Sequence, residues 1–93
     1  LPADVLARME GVYAFPEIGM SITIRREGNQ LTGRATGQES FPLHAISNTT
    51  FSHPPSGILI EFRKSGGDDA YSHLVLYQGR SQMRFQKEAP APQ

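Results

Sequence analysis

From Gly11 onward the chain alternates apolar and polar residues with a period of two, broken about every ten positions by glycine, proline, asparagine or serine. That rhythm predicts short antiparallel strands joined by tight turns, as in a sandwich or barrel. Gly11–Phe15 reads as a first strand, ended by Pro16. Between Ile18 and Glu27, Met20, Ile22 and Ile24 share one face while Ser21, Thr23 and Arg25 share the other. Gly28-Asn29 makes a tight turn, which sets Glu27 against Gln30, Ile24 against Gly33, Ile22 against Ala35 and Thr23 against Arg34. A hairpin around Gly79-Arg80 sets Leu76 against Met83 and Leu74 against Phe85. Another, from Ile58–Arg63 into Tyr71–Tyr77 around Ser65-Gly66-Gly67-Asp68, sets Phe62 against Leu74 and Ile60 against Leu76. Both registers put Leu74 and Leu76 on the buried face, and a slip of one residue would reverse that face. Residues 41–46 and 49–53 supply two shorter strands around Ser47-Asn48.

These strands form an all-β, eight-stranded antiparallel meander that closes into a small barrel or strongly curled sheet. Its interior positions are Met20, Ile22, Ile24, Leu31, Phe41, Leu43, Phe51, Ile58, Ile60, Phe62, Leu74, Leu76, Met83 and Phe85. Eight strands leave an interior just wide enough for side chains or one small ligand, and residues this large favour a filled one. Helix is expected only over residues 2–9, where Pro2 and Asp4 lie in the first turn, Val5, Leu6 and Met9 share a face, and Gly11 follows. Residues 1–88 read as one domain, and 89–93, with alternating Ala and Pro, as a disordered tail. The start at Leu1, with no methionine and no charged and apolar leader, reads as a processed or excised piece of a longer chain.

Composition narrows function mainly by exclusion. A chain of 93 residues makes a thin core and leaves little room for a deep catalytic cleft. Nine basic and nine acidic residues cancel, so no global field recruits nucleic acid or an anionic membrane, and neither is expected as a partner. The absence of cysteine removes thiolate chemistry and disulfides. No Ser-x-x-Lys, Gly-x-Ser-x-Gly, phosphate loop or His-Glu-x-x-His occurs, so no catalytic residue and no cofactor is assigned. His44, His53 and His73 are too scattered to predict a metal site. His44 is expected to face outward, His53 to lie in a loop before Pro54-Pro55, and Asp68-Asp69 to be solvated turn residues. Arg25, Arg34, Arg63 and Arg84 are expected on the outer face, interleaved with polar residues as on an ordinary solubilised sheet.

One outward row is unusually apolar. Tyr71, His73, Val75 and Tyr77 fall on the solvent side of the seventh strand, which is either covered by the N-terminal helix or the other side of the barrel, or used as a docking patch for a neighbouring domain or subunit.

Several short motifs recur in a known order. Leu-x-x-x-x-Gly-x-Tyr runs from Leu6 to Tyr13, followed by Ile22-Thr23-Ile24 and Gly28-Asn29-Gln30-Leu31. Thr36-Gly37-Gln38, Phe41-Pro42-Leu43 and Ile60-Glu61-Phe62 come next, then a glycine-rich turn and an apolar strand ending in Gln78-Gly79. Together, from Leu6 to Gln86, they resemble the bacterial domain of unknown function appended C-terminally to β-lactamase-like, penicillin-binding-protein-like serine hydrolases. The resemblance implies a lipocalin-like, non-catalytic accessory domain whose partner is the preceding catalytic domain of the same polypeptide. In that family the catalytic serine and lysine lie in that other domain, so none is carried over. It also favours a periplasmic or extracellular location. The rival reading is a small carrier that binds an apolar ligand in the barrel mouth, lined by Phe41, Phe62 and Met83.

Overall fold

The computed structural model of the chain describes residues 3–64 and 71–88. A short helix, α1 (Ala3–Met9), is followed by eight strands: β1 (Gly11–Phe15), β2 (Met20–Glu27), β3 (Gln30–Ala35), β4 (Phe41–Ala45), β5 (Thr50–His53), β6 (Ile58–Arg63), β7 (His73–Gln78) and β8 (Ser81–Lys87). Each strand pairs antiparallel with the next, and β8 returns to β1, so the sheet is a closed barrel. Closure matters because an open meander would leave two edges of unpaired backbone. The seam is short, with Tyr13 opposite Lys87 and Ala14 opposite Gln86, and the Glu88 amide donating to the Val12 carbonyl extends it.

The registers follow the alternation. Ile24 faces Gly33, Ile22 faces Ala35, Phe62 faces Leu74, and Leu76 faces both Ile60 and Met83. Gly28 (φ 62°) and Gly79 (φ 59°) each open a two-residue turn in the left-handed region that L side chains avoid. At Gly33, a Cβ would stand 3.1 Å from the Phe41 ring, so the missing side chain makes room for that ring in the interior.

Three boundaries differ from the sequence reading. A 3₁₀ turn at Pro16–Ile18 delays β2 to Met20, where proline starts the turn and Gly19 ends it in the left-handed region. The chain joins β7 at His73 rather than Tyr71, and the strand read over 49–53 starts at Thr50 and ends, as read, at His53, which pairs with Ile58 instead of lying in the loop before Pro54-Pro55. The expected tail at 89–93 and the turn containing Ser65-Gly66-Gly67-Asp68-Asp69 lie outside the described residues.

The strand order gives the barrel two unlike ends. At one, the β2–β3 and β4–β5 turns meet α1, which buries Leu6 and Met9 against the core. The Tyr13 hydroxyl donates to the Met9 carbonyl at 2.7 Å and the Lys87 ammonium to the Arg8 carbonyl at 3.2 Å. These bonds satisfy carbonyls that the helix end leaves unpaired, and they tie α1 to both closing strands. Inside this end, Phe62 meets three rings edge-on: Tyr13 at 5.7 Å, Phe51 at 5.6 Å and Tyr71 at 6.0 Å. The opposite end is formed by the turns after β1, β3, β5 and β7.

Phe62→Ala removes a fully buried ring and should lower unfolding free energy by ~3–5 kcal/mol in urea titration. A loss below ~1 kcal/mol would mean that the three-ring contact is not what fills this end.

Candidate functional site

The end of the barrel opposite α1 holds a cavity of about 270 Å³. Its walls are mainly aliphatic and aromatic: Met20 and Ile22 from β2, Phe41 from β4, Ile58 from β6, Leu76 from β7, and Met83 and Phe85 from β8. Gln38, Ser56 and Gln78 stand exposed around its rim, and Ala35 and His53 complete the lining. Small and flexible residues, Ala35 and the two methionines, reach inward here beside the rings of Phe41 and Phe85, whereas four rings meet one another near the helix.

His53 is the polar group best placed in this mouth. Its ring lies 4.6 Å from the Phe41 ring, tilted by 37°. The Ser56 hydroxyl lies 2.8 Å from Nδ1 and donates to the His53 carbonyl at 3.1 Å. A hydroxyl has one proton to give. Both contacts are made at once when Nδ1 carries its hydrogen, the tautomer in which Nε2 is the acceptor. Gly57 closes this turn with φ 73°, its amide donating to the carbonyls of His53 and Pro54. The strand read over 49–53 includes His53, while the prolines after it point to a loop; alternation with Phe51 is the sign that His53 faces inward.

The residues expected to line such a mouth divide. Phe41 and Met83 are in it. Phe62 is inward but sits near the helix end, in the three-ring contact, so it does not line the cavity.

The outer row of β7 also differs from expectation. Tyr71 is not part of it: the chain has not yet joined the strand there, so alternation does not govern its direction, and its ring packs on Phe62 inside. His73 and Val75 do lie on the outer face yet are buried. The helix does not cover them, since it packs on β2 and the barrel end. Long side chains flank them on the neighbouring strand. Arg63, opposite His73, reaches along β6 to Glu61, opposite Val75, and donates to Glu61 Oε1 at 2.7 Å and to the Tyr77 hydroxyl at 3.1 Å. Tyr77 in turn donates to Glu61 Oε1 at 3.1 Å. The Arg63 hydrogen bonds hold the Glu61 carboxyl below the ordinary carboxylate range. Leu59, beside Tyr77, stays 36% exposed, so the uncovered apolar part of this face is the Leu59–Tyr77 pair.

His44 is exposed on the outer side of β4, and Arg25, Arg34, Arg63 and Arg84 are all exposed. Arg25 and Arg34 sit on β2 and β3, away from Arg63 and Arg84, so the four do not make one basic patch. Among the described residues, no three His, Asp or Glu side chains gather where they could hold a metal ion.

Comparison with known proteins gives no matching family model, no similar curated protein and no similar solved structure.

Burial, with Arg84 and Arg63 nearby, pushes the His73 imidazole below its ordinary value. The unfolded chain then takes up this proton first as pH falls, so His73 stabilises the fold fully above the ordinary imidazole range and progressively less through it. Between about pH 7.5 and about pH 5 the thermal midpoint should fall, and His73→Gln should flatten that fall. Equal slopes for the two proteins would show that His73 is not held neutral.

Proposed function

We propose that this chain is a non-catalytic accessory barrel of a larger, β-lactamase-like serine hydrolase, packed against the catalytic domain of the same polypeptide. The observation that supports this reading is that the residues carrying the resemblance are the ones that set the barrel. Leu6 plugs its end, and Tyr13 holds the last turn of α1. Gly11, between them at φ 148°, lies where a Cβ would come within 2.7 Å of the Lys87 side chain. Thr36-Gly37-Gln38 forms the turn after β3. Thr36 Oγ1 accepts from the Ser21 amide at 2.9 Å, Gly37 has φ 73°, and the Gln38 amide donates to the Ala35 carbonyl at 3.0 Å. Phe41 and Leu43 point inward over Gly33, and Phe62 centres the ring cluster. The shared pattern is thus a pattern of fold-determining positions, and it carries the fold and its context together.

The role this suits is mechanical. A closed barrel with a zero formal charge is a rigid body that can rest on a neighbour without long-range repulsion, stabilising it or shaping access to its active site. Contact is assigned to the outer face of β6 and β7, centred on Leu59 and Tyr77. Tyr71 has no part in it, because its ring is inside.

Two measurements test this. The polypeptide that precedes Leu1 should carry a Ser-x-x-Lys motif in a serine-hydrolase domain; a continuation with no such domain would contradict the reading. Leu59→Glu combined with Tyr77→Ala should weaken association of the separately produced catalytic domain with the barrel at least about tenfold, or ~1.4 kcal/mol. Unchanged association with a folded double variant would place the contact elsewhere.

A further inference from the structure

The open end of the barrel has the makings of a ligand site that the accessory role does not use. A cavity of about 270 Å³ is close to the lower end of the ~300–1,000 Å³ range of small-molecule pockets. It is nearly twice the ~150 Å³ apolar cavity that accepts benzene. An apolar body of roughly eight to ten heavy atoms is therefore the size that fits. None of its lining residues is Asp, Glu, Lys or Arg, so nothing there offsets the cost of desolvating a charged group. The polar groups at the rim are a histidine, a serine and two glutamines. Of these, His53 is fixed from both sides, by Phe41 against its ring and by Ser56 at Nδ1, and with the hydrogen on Nδ1 its Nε2 is a positioned acceptor.

We propose that the mouth of the barrel binds a small uncharged amphiphile, its apolar body among Ile22, Ile58, Leu76 and Met83 and its hydrogen-bond donor on Nε2 of His53. The two methionines, Met20 and Met83, suit such a site because unbranched, polarizable side chains adapt to an occupant. Size sets the upper limit on the ligand's body, and the acceptor sets the chemistry of its end: a hydroxyl or an amide N–H. The site does not depend on the presence of a hydrolase domain, so its fate and that of the accessory reading are separable.

The test uses the 93-residue chain and 1-octanol, followed by ¹H–¹⁵N chemical shifts. Saturable shifts are expected at Met20, Phe41, His53 and Met83. Met83→Trp, which fills the space, should weaken binding at least tenfold, and Met20→Trp fills it from the facing strand should the first variant fail to fold. His53→Phe keeps the ring against Phe41 but removes the acceptor. It should weaken 1-octanol about three- to tenfold and leave p-xylene unchanged, as the loss of one hydrogen bond requires. Absence of saturable shifts, shifts confined to the helix end, or undiminished binding by the folded tryptophan variants would overturn the site. Octanoate or octylammonium binding as tightly as 1-octanol would overturn the uncharged end group.

Discussion

The edge-on contact of Phe62 with Tyr13, Phe51 and Tyr71 is the interaction on which the rest of this barrel depends. It gathers β6, β1, β5 and the segment before β7 around one point, so residues far apart in sequence must be in place together. Each such aromatic pair contributes ~0.5–1.5 kcal/mol beyond the area it buries, which is large beside a stability of ~5–15 kcal/mol. The polar end of Tyr13 then reaches the Met9 carbonyl, so the same ring that packs on Phe62 also anchors α1. Burial of that hydroxyl pushes its ionisation well above the ordinary tyrosine range, which keeps it a donor at any physiological pH.

The two ends of the barrel are filled differently. A barrel of eight strands has a nearly fixed girth, and the size of the inward residues sets how much of it is solid. Near α1 the interior holds Tyr13, Phe51, Phe62 and Tyr71, with a hollow of about 330 Å³ beside Leu6, Leu31, Leu43 and Phe51; the mouth is lined by Ala35, Ile22, Ile58, Leu76, the two methionines, Phe41 and Phe85. The molecule is a stoppered cup. The stoppered end gives rigidity, useful to a body that rests on a neighbour, and the open end offers an apolar space rimmed by neutral polar groups. The two proposed roles would occupy different parts of the barrel: Leu59 and Tyr77 lie on its outer wall, His53 and Met83 at its mouth.

Much of this was legible in the chain. Alternation reports whether a residue faces in or out, and turn glycines fix register, so Ile24 opposite Gly33 and Leu74 opposite Phe85 follow from Gly28 and Gly79. Height along the barrel axis is a different quantity, set by strand stagger and by where each strand starts, and alternation is silent on it. Phe62 and Phe41 are both inward, yet one closes the stoppered end and the other lines the mouth. Parity also fails where the ladder stops: Tyr71 shares the parity of His73, but it precedes the strand and turns inside. His53 shows the converse: it keeps the parity of Phe51 to the end of its strand, although Pro54-Pro55 follow at once. Val75 is buried on an outer face where Arg63 reaches along the next strand to Glu61 and Tyr77, and nothing in a residue's own neighbourhood in sequence reports such burial.

A barrel packed with rings around Phe62 and hollow at its mouth is tested most directly by xenon, which enters apolar cavities without needing a specific ligand. In crystals of the protein under xenon pressure, the gas should occupy the space between Ile22, Ile58, Leu76 and Met83 and be absent from the contact between Phe62 and Tyr13. A mouth without xenon, or xenon seated beside Phe62, would contradict the half-filled barrel.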